Sequence, residues 1–173
     1  MRVLAPLSLL AMIGGCVAPP PSTPPPPRPV QAPRPAPLPA PPPVADWRDW
    51  PYSPGTWTYR RDARGSIALF GPAGADATLT LRCDLQARQV FLSRAGSNAT
   101  PLTIRTSSTA RSLPVQPVGG PLPYVAAALA PSDPILDAMG FSRGRFVVSQ
   151  AGQPPLVVPA WAEIERVTED CRG

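Results

Sequence analysis

From residue 56 to residue 104, apolar and polar positions alternate repeatedly with a period of two. Trp57 and Tyr59 alternate with Thr56, Thr58 and Arg60. Ile67 and Leu69 alternate with Ser66 and Ala68. Leu79, Leu81 and Cys83 share one face, and Thr78, Thr80 and Arg82 the other. Val90 and Leu92 repeat the pattern, then Leu102 and Ile104. Period-two alternation marks half-buried strands. Turn-forming clusters separate the runs at Asp62–Gly65, Gly71–Gly74, Asp84–Ala87 and Ala95–Asn98. Short strands with tight turns predict an antiparallel meander. The fold class is therefore mainly β, a β-sandwich or barrel-like sheet.

Beyond Arg111 the alternation blurs. Tyr124 to Ala130 suits either a strand or a helical turn. The run from Ser132 to Met139 reads as a short mid-chain helix, with Ser132 as N-cap, an early proline and Gly140 at its end. Strands are predicted at Arg145–Gln150 and Leu156–Val158, joined by a turn at 151–154. In the last segment, Ala160 to Arg172, Trp161, Ile164, Val167, Thr168 and Cys171 recur at helical spacing. Glu163 and Glu165 come early and Arg172 late, which suits the helix dipole. This predicts a C-terminal α-helix packed on the sheet.

The first 45 residues follow neither period. Arg2 precedes an apolar run from Val3 to Ile13, about the length of a signal-peptide core and about half of what a spanning helix needs. Gly14, Gly15 and the prolines from Pro19 onward stop any helical extension. Proline then dominates from Pro19 to Pro43, out of 29 in the whole chain, so only the later region can build a core. The expected organisation is a signal peptide at 1–15, a tether at 16–45 and a β-rich domain at 46–173. Such a tract favours polyproline II at about 3.1 Å per residue, so the tether reaches on the order of 70–80 Å.

Ile13-Gly14-Gly15-Cys16 resembles the bacterial lipobox: an aliphatic residue, two small residues, then cysteine. The resemblance implies that the peptide before Cys16 is removed and that Cys16 carries the lipid. It also implies anchorage in the outer membrane facing the periplasm, because Val17, not aspartate, follows the cysteine. The membrane is then a partner through the lipid on Cys16.

The other two cysteines lie at expected core positions. Cys83 is on the apolar face of its strand and Cys171 on the apolar stripe of the last helix. Export exposes them to an oxidising compartment, which predicts a Cys83–Cys171 disulfide. The alternative is two buried free thiols.

Composition narrows the chemistry. The chain has no histidine, its 16 basic residues are all arginine, and its net charge is +5. No Ser-His-Asp triad or histidine metal site can be built, and one cysteine is committed to lipid. No metal, cofactor or catalytic residue is assigned. No basic stripe or nucleic-acid motif occurs, so no nucleic-acid partner is expected. Five aromatics cluster at Trp47, Trp50, Tyr52, Trp57 and Tyr59. Exposed, Trp47 and Trp50 could stack on glycan; buried, they would cover a sheet end. Arg143 and Arg145 could grip carboxylates or phosphates, as could Arg60, Arg61 and Arg64. Glu163, Glu165, Glu169 and Asp170 read as a charged helix surface.

Leu81-Arg82-Cys83, the segment Phe141–Phe146 ("FSRGRF") and a terminal helix ending in cysteine form a further pattern. It is similar to that of uncharacterised bacterial lipoproteins with proline-rich tethers. More distantly, it resembles small exported β-domains of the invasion-associated locus B group and of type VI secretion accessory lipoproteins. The resemblance implies a β-rich domain in the cell envelope. The function expected from it is a binding or assembly module with an envelope protein or peptidoglycan as partner. The alternative is an envelope hydrolase, or an inhibitor of one, using arginines and carboxylates.

Overall fold

The computed structural model describes residues 46–173; the predicted signal peptide, Cys16 and the proline-rich tract lie outside the described residues. Ten strands follow a short 3-10 turn at Trp47–Asp49. They are β1 (Thr56–Asp62), β2 (Gly65–Gly71), β3 (Leu79–Asp84), β4 (Gln89–Ala95), β5 (Leu102–Arg105), β6 (Ala110–Leu113), β7 (Gln116–Val118), β8 (Tyr124–Leu129), β9 (Arg145–Gln150) and β10 (Gln153–Pro159). Helix α1 (Pro134–Gly140) lies between β8 and β9, and α2 (Ala162–Arg172) ends the chain.

The strands form two antiparallel sheets. One has six strands in the order β1-β2-β3-β4-β8-β7, and the other four in the order β10-β9-β5-β6. Their inner faces share one core in a sandwich-like arrangement. Trp57, Phe70, Leu81 and Leu92 enter it from the larger sheet, and Leu102, Ile104, Phe146 and Val148 from the smaller. Leu136 and Met139 of α1 and Ile164 and Val167 of α2 complete it.

The first hairpin reverses one expectation. Its pairing of Asp62 with Gly65 also sets Trp57 opposite Phe70 and Tyr59 opposite Ala68. Directly opposed residues share a face. Since Trp57 points inward, Phe70, Ala68 and Ser66 do too, and Ile67 and Leu69 point outward. The alternation within β2 is real, but its small members face the core.

Two smaller corrections follow the same local logic. The N-cap of α1 is Asp133, not Ser132: its carboxylate accepts from the Ile135 N–H, and Pro134 stands at the first helical position, which fixes the cap one residue before it. Trp161 precedes α2 as its N-cap, so it misses the buried stripe and is 47 % exposed. Tyr124 to Leu129 takes the strand of its two open readings, and β6, where Leu113 alone is buried, and the three-residue β7 add to the sheets.

Cys83 and Cys171 form a disulfide, with Cα atoms 5.3 Å apart across a sequence separation of 88. It ties α2 to the middle of the larger sheet. Arg94 ties the two sheets together. Its buried guanidinium donates to the Val148 carbonyl (2.9 Å), the Pro154 carbonyl (2.5 Å) and Gln153 Oε1 (3.0 Å). The pairing of β10 with β9 shifts register between Gln153 and Leu156, next to the prolines that supply one of these acceptors.

Candidate functional site

The two sheets treat their outer faces differently. On the smaller sheet, Trp47 packs on Val147 and Val157, with Trp50 beside it. The outer face of the larger sheet mixes apolar and polar side chains, and cross-strand register lays it out in rows. One row runs Arg60, Ile67, Arg82, Phe91, Ala128. The next runs Thr58, Leu69, Thr80, Ser93, Ala126, Gln116.

From Leu69 and Arg82 onward these rows floor a groove of about 780 Å³, with Thr58, Arg60 and Ile67 lying just beyond its lining. Leu69 and Phe91 are its bulky elements, while Thr80, Ser93, Ala126 and Ala128 leave a trough between them. The far wall is β7 with the following loop: Pro117, Val118, Gly119, Gly120, Pro121 and Leu122. Val118 and Leu122 are exposed there. Tyr124 stands at the wall base, its hydroxyl donating to the Ala77 carbonyl. The groove lining is mostly apolar, and a walled apolar trough on a sheet face is the kind of surface at which ligands or partners bind. The volume lies in the range of small-molecule sites.

Arginines close the opposite end. Arg82 makes a two-pronged contact with Asp62, at 3.0 and 2.7 Å, and Arg64 reaches Asp84 at 2.5 Å. Hydrogen bonds from Arg82, and then from the Arg64 backbone N–H, lower the Asp62 pKa to about 2. The Ala87 N–H, followed by Arg64, holds Asp84 below the usual carboxylate range. Both acids are therefore charged and paired. Arg60 acts on Asp62 only through its field and has no ion pair among the described residues. No aspartate or glutamate lines the groove.

A second, polar depression lies at the C-terminal helix, lined by Tyr59, Arg61, Arg166, Glu169 and Asp170. Tyr59 donates to Asp170 at 2.5 Å, Arg61 bonds both residues, and Arg166 sits over the Tyr59 ring at 3.9 Å. Burial pushes the Asp170 carboxyl up, but the bonds from Tyr59 and Arg61 outweigh it and the pKa falls below the ordinary value.

The residues singled out from sequence are placed as follows. Trp47 is buried against the smaller sheet and Trp50 is half-buried in the same cluster. Arg145 donates to the Trp50 carbonyl and stacks on Tyr52, with its Cζ 4.1 Å from the ring centroid. Arg143 is exposed, with its backbone N–H on Ser107 Oγ. The fold thus brings Trp47, Trp50 and Arg145 together as packing for the N-terminal segment. The groove residues were not read from sequence as a site. Their signal is Leu69 and Phe91 standing opposite the core-facing set, across strands from Ala126 and Ala128.

Among the described residues, no group of acidic or sulfur side chains could hold a metal ion, and no helix is long and apolar enough to cross a membrane. A comparison of the chain with protein families, curated proteins and solved structures returns no match.

Proposed function

We propose that this chain is a lipid-anchored protein of the cell envelope whose β-domain is a binding or assembly module, with the groove on the larger sheet as its binding surface. The observation that carries the reading is the contrast between the outer faces. The N-terminal segment covers one, while the other keeps a walled apolar trough. The lipobox at Cys16 and the proline-rich tract support an anchor and spacer that would present such a surface in the periplasm, from the outer membrane.

The hydrolase alternative has less support. A hydrolytic carboxylate pair needs one member kept protonated near neutral pH and a cleft between the two. Glu165, whose pKa burial raises, packs against Gly140 and lines neither the groove nor the polar depression, Asp170 is shifted the opposite way, and the groove has no carboxylate.

Two variants test the reading. Cys16→Ser should release the protein from the membrane fraction. Ala126→Trp, which fills the trough, should remove envelope components that co-purify with the native chain after gentle cross-linking. Equal co-purification by native and Ala126→Trp protein would place binding elsewhere.

A further inference from the structure

The groove's chemistry also selects a ligand class, an inference that rests on the groove being the binding surface. We propose that it holds a long-chain carboxylate, its tail lying in the trough and its head at the Arg60–Arg82 end.

The floor argues against a peptide. Arg64, Arg82 and Tyr124 are already engaged with Asp84, Asp62 and the Ala77 carbonyl, which leaves the hydroxyls of Thr80 and Ser93 on the floor and the Gln116 amide at the wall. A peptide laid on this floor would bury N–H and C=O groups without partners, which is costly. Addition of a strand at the adjoining edge is also blocked. β7 is the edge strand on the wall side, the other edge being β1, and Pro117 at its centre has no N–H to offer. A hydrocarbon tail needs neither.

Length and charge fix the rest. From Leu69 on β2 to Gln116 on β7 the trough crosses four strand spacings, roughly 19 Å at about 4.8 Å each. An extended acyl tail spans that distance. At the arginine end, Arg60, Arg64 and Arg82 face Asp62 and Asp84, so one positive charge is left over. Arg60 carries it: it stands just beyond the groove lining, in the same cross-strand row as Arg82 and Phe91, with Ile67 between it and Arg82. One excess guanidinium matches a monoanion such as a carboxylate, which arginine grips well.

The test is calorimetric titration of the complete chain carrying Cys16→Ser with dodecanoate, dodecyl phosphate and dodecyltrimethylammonium, each below its micelle concentration. Dodecanoate should bind about tenfold more tightly than the cationic analogue, and Arg60→Gln should weaken it about threefold to fivefold, as for an exposed charge. Ala126→Trp and the more exposed Ala128→Phe should both abolish binding while keeping the native circular dichroism. Equal affinity for the cation, tighter binding of the phosphate, or binding that survives both fillings would overturn the assignment. No dodecanoate binding, with envelope components still captured through the groove, would sink the ligand class alone. Loss of both would sink the binding-module reading as well.

Discussion

Trp57 and Phe70 face each other across the first hairpin with ring centroids 5.3 Å apart, both inside the core. That pairing decides which way β2 faces, and so which residues are left to floor the groove. The Trp57 indole also donates to the Pro159 carbonyl at 2.9 Å, linking the first strand to the last. Trp57→Phe keeps much of the packing but leaves that carbonyl short of a donor, at a cost of about 1–3 kcal/mol. Trp57→Ala should cost about 3–5 kcal/mol. Chemical denaturation of the two variants should rank them in that order.

The inverted face of β2 gives a paired prediction. Ala68→Leu forces new volume into a filled core and should destabilise by about 1–3 kcal/mol. Leu69→Ser, at the neighbouring outward position, should cost under about 1 kcal/mol. A larger loss from Leu69→Ser than from Ala68→Leu would put β2 in the other register.

The disulfide closes most of the domain between Cys83 and Cys171. Replacing both cysteines with alanine should cost about 2–5 kcal/mol. Intact-mass measurement after alkylation should find no reactive thiol at either position until reductant is added.

Glu165 on α2 supplies a pH signature. Its Oε1 is buried without a hydrogen bond, and the carboxylate sits so close to Gly140 that a Cβ there would lie 1.5 Å from it. Burial raises the Glu165 pKa, Asp137 and Glu169 add repulsion, and Arg172, bridged to Asp137 at 2.8 Å, opposes them. The folded chain therefore binds this proton more tightly than the unfolded chain. Stability falls as pH rises from the unfolded glutamate range, about 4.3, through the higher folded value. Glu165→Gln should raise Tm at pH 7, and the gain should close by about pH 4. A gain of equal size at both pH values would refute the mechanism. Asp62 works in the opposite sense: its contribution is present above the unfolded aspartate range and is lost as pH falls toward its folded value of about 2.

Arg94 is a buried cation satisfied by two carbonyls and one side-chain oxygen, and burial pushes its pKa down. Arg94→Lys cannot present a planar fork to three acceptors. It should lose more than about 2 kcal/mol, measured by urea denaturation.

Much of the fold was legible because strands with one wet face announce themselves. Trp57/Tyr59, Leu79/Leu81/Cys83 and Val90/Leu92 each showed the period of two, and the two core cysteines could be paired from their faces. The reading failed where apolar residues stand on both faces. Ile67 and Leu69 look like core positions until the hairpin register is known, and register depends on a partner strand that local alternation does not specify. The groove was hidden for the same reason. Its floor joins the consecutive strands β2, β3 and β4 to β8 from much later in the chain, and β7 is three residues long with a proline in the middle. Arg143, Arg145, Trp47 and Trp50 stood out by residue type, which cannot distinguish a ligand site from a covering segment held by a stacked arginine.

The central claim is that the larger sheet's outer face is where this protein binds in the envelope. Site-specific photo-crosslinking in cells tests it most directly, with the probe placed at Ser93 in the trough or at Ser149 on the outer face of the smaller sheet. The account predicts a discrete adduct from Ser93 that Ala128→Phe removes, and none from Ser149. Adducts from Ser149 alone, or from Ser93 regardless of the filling, would contradict it.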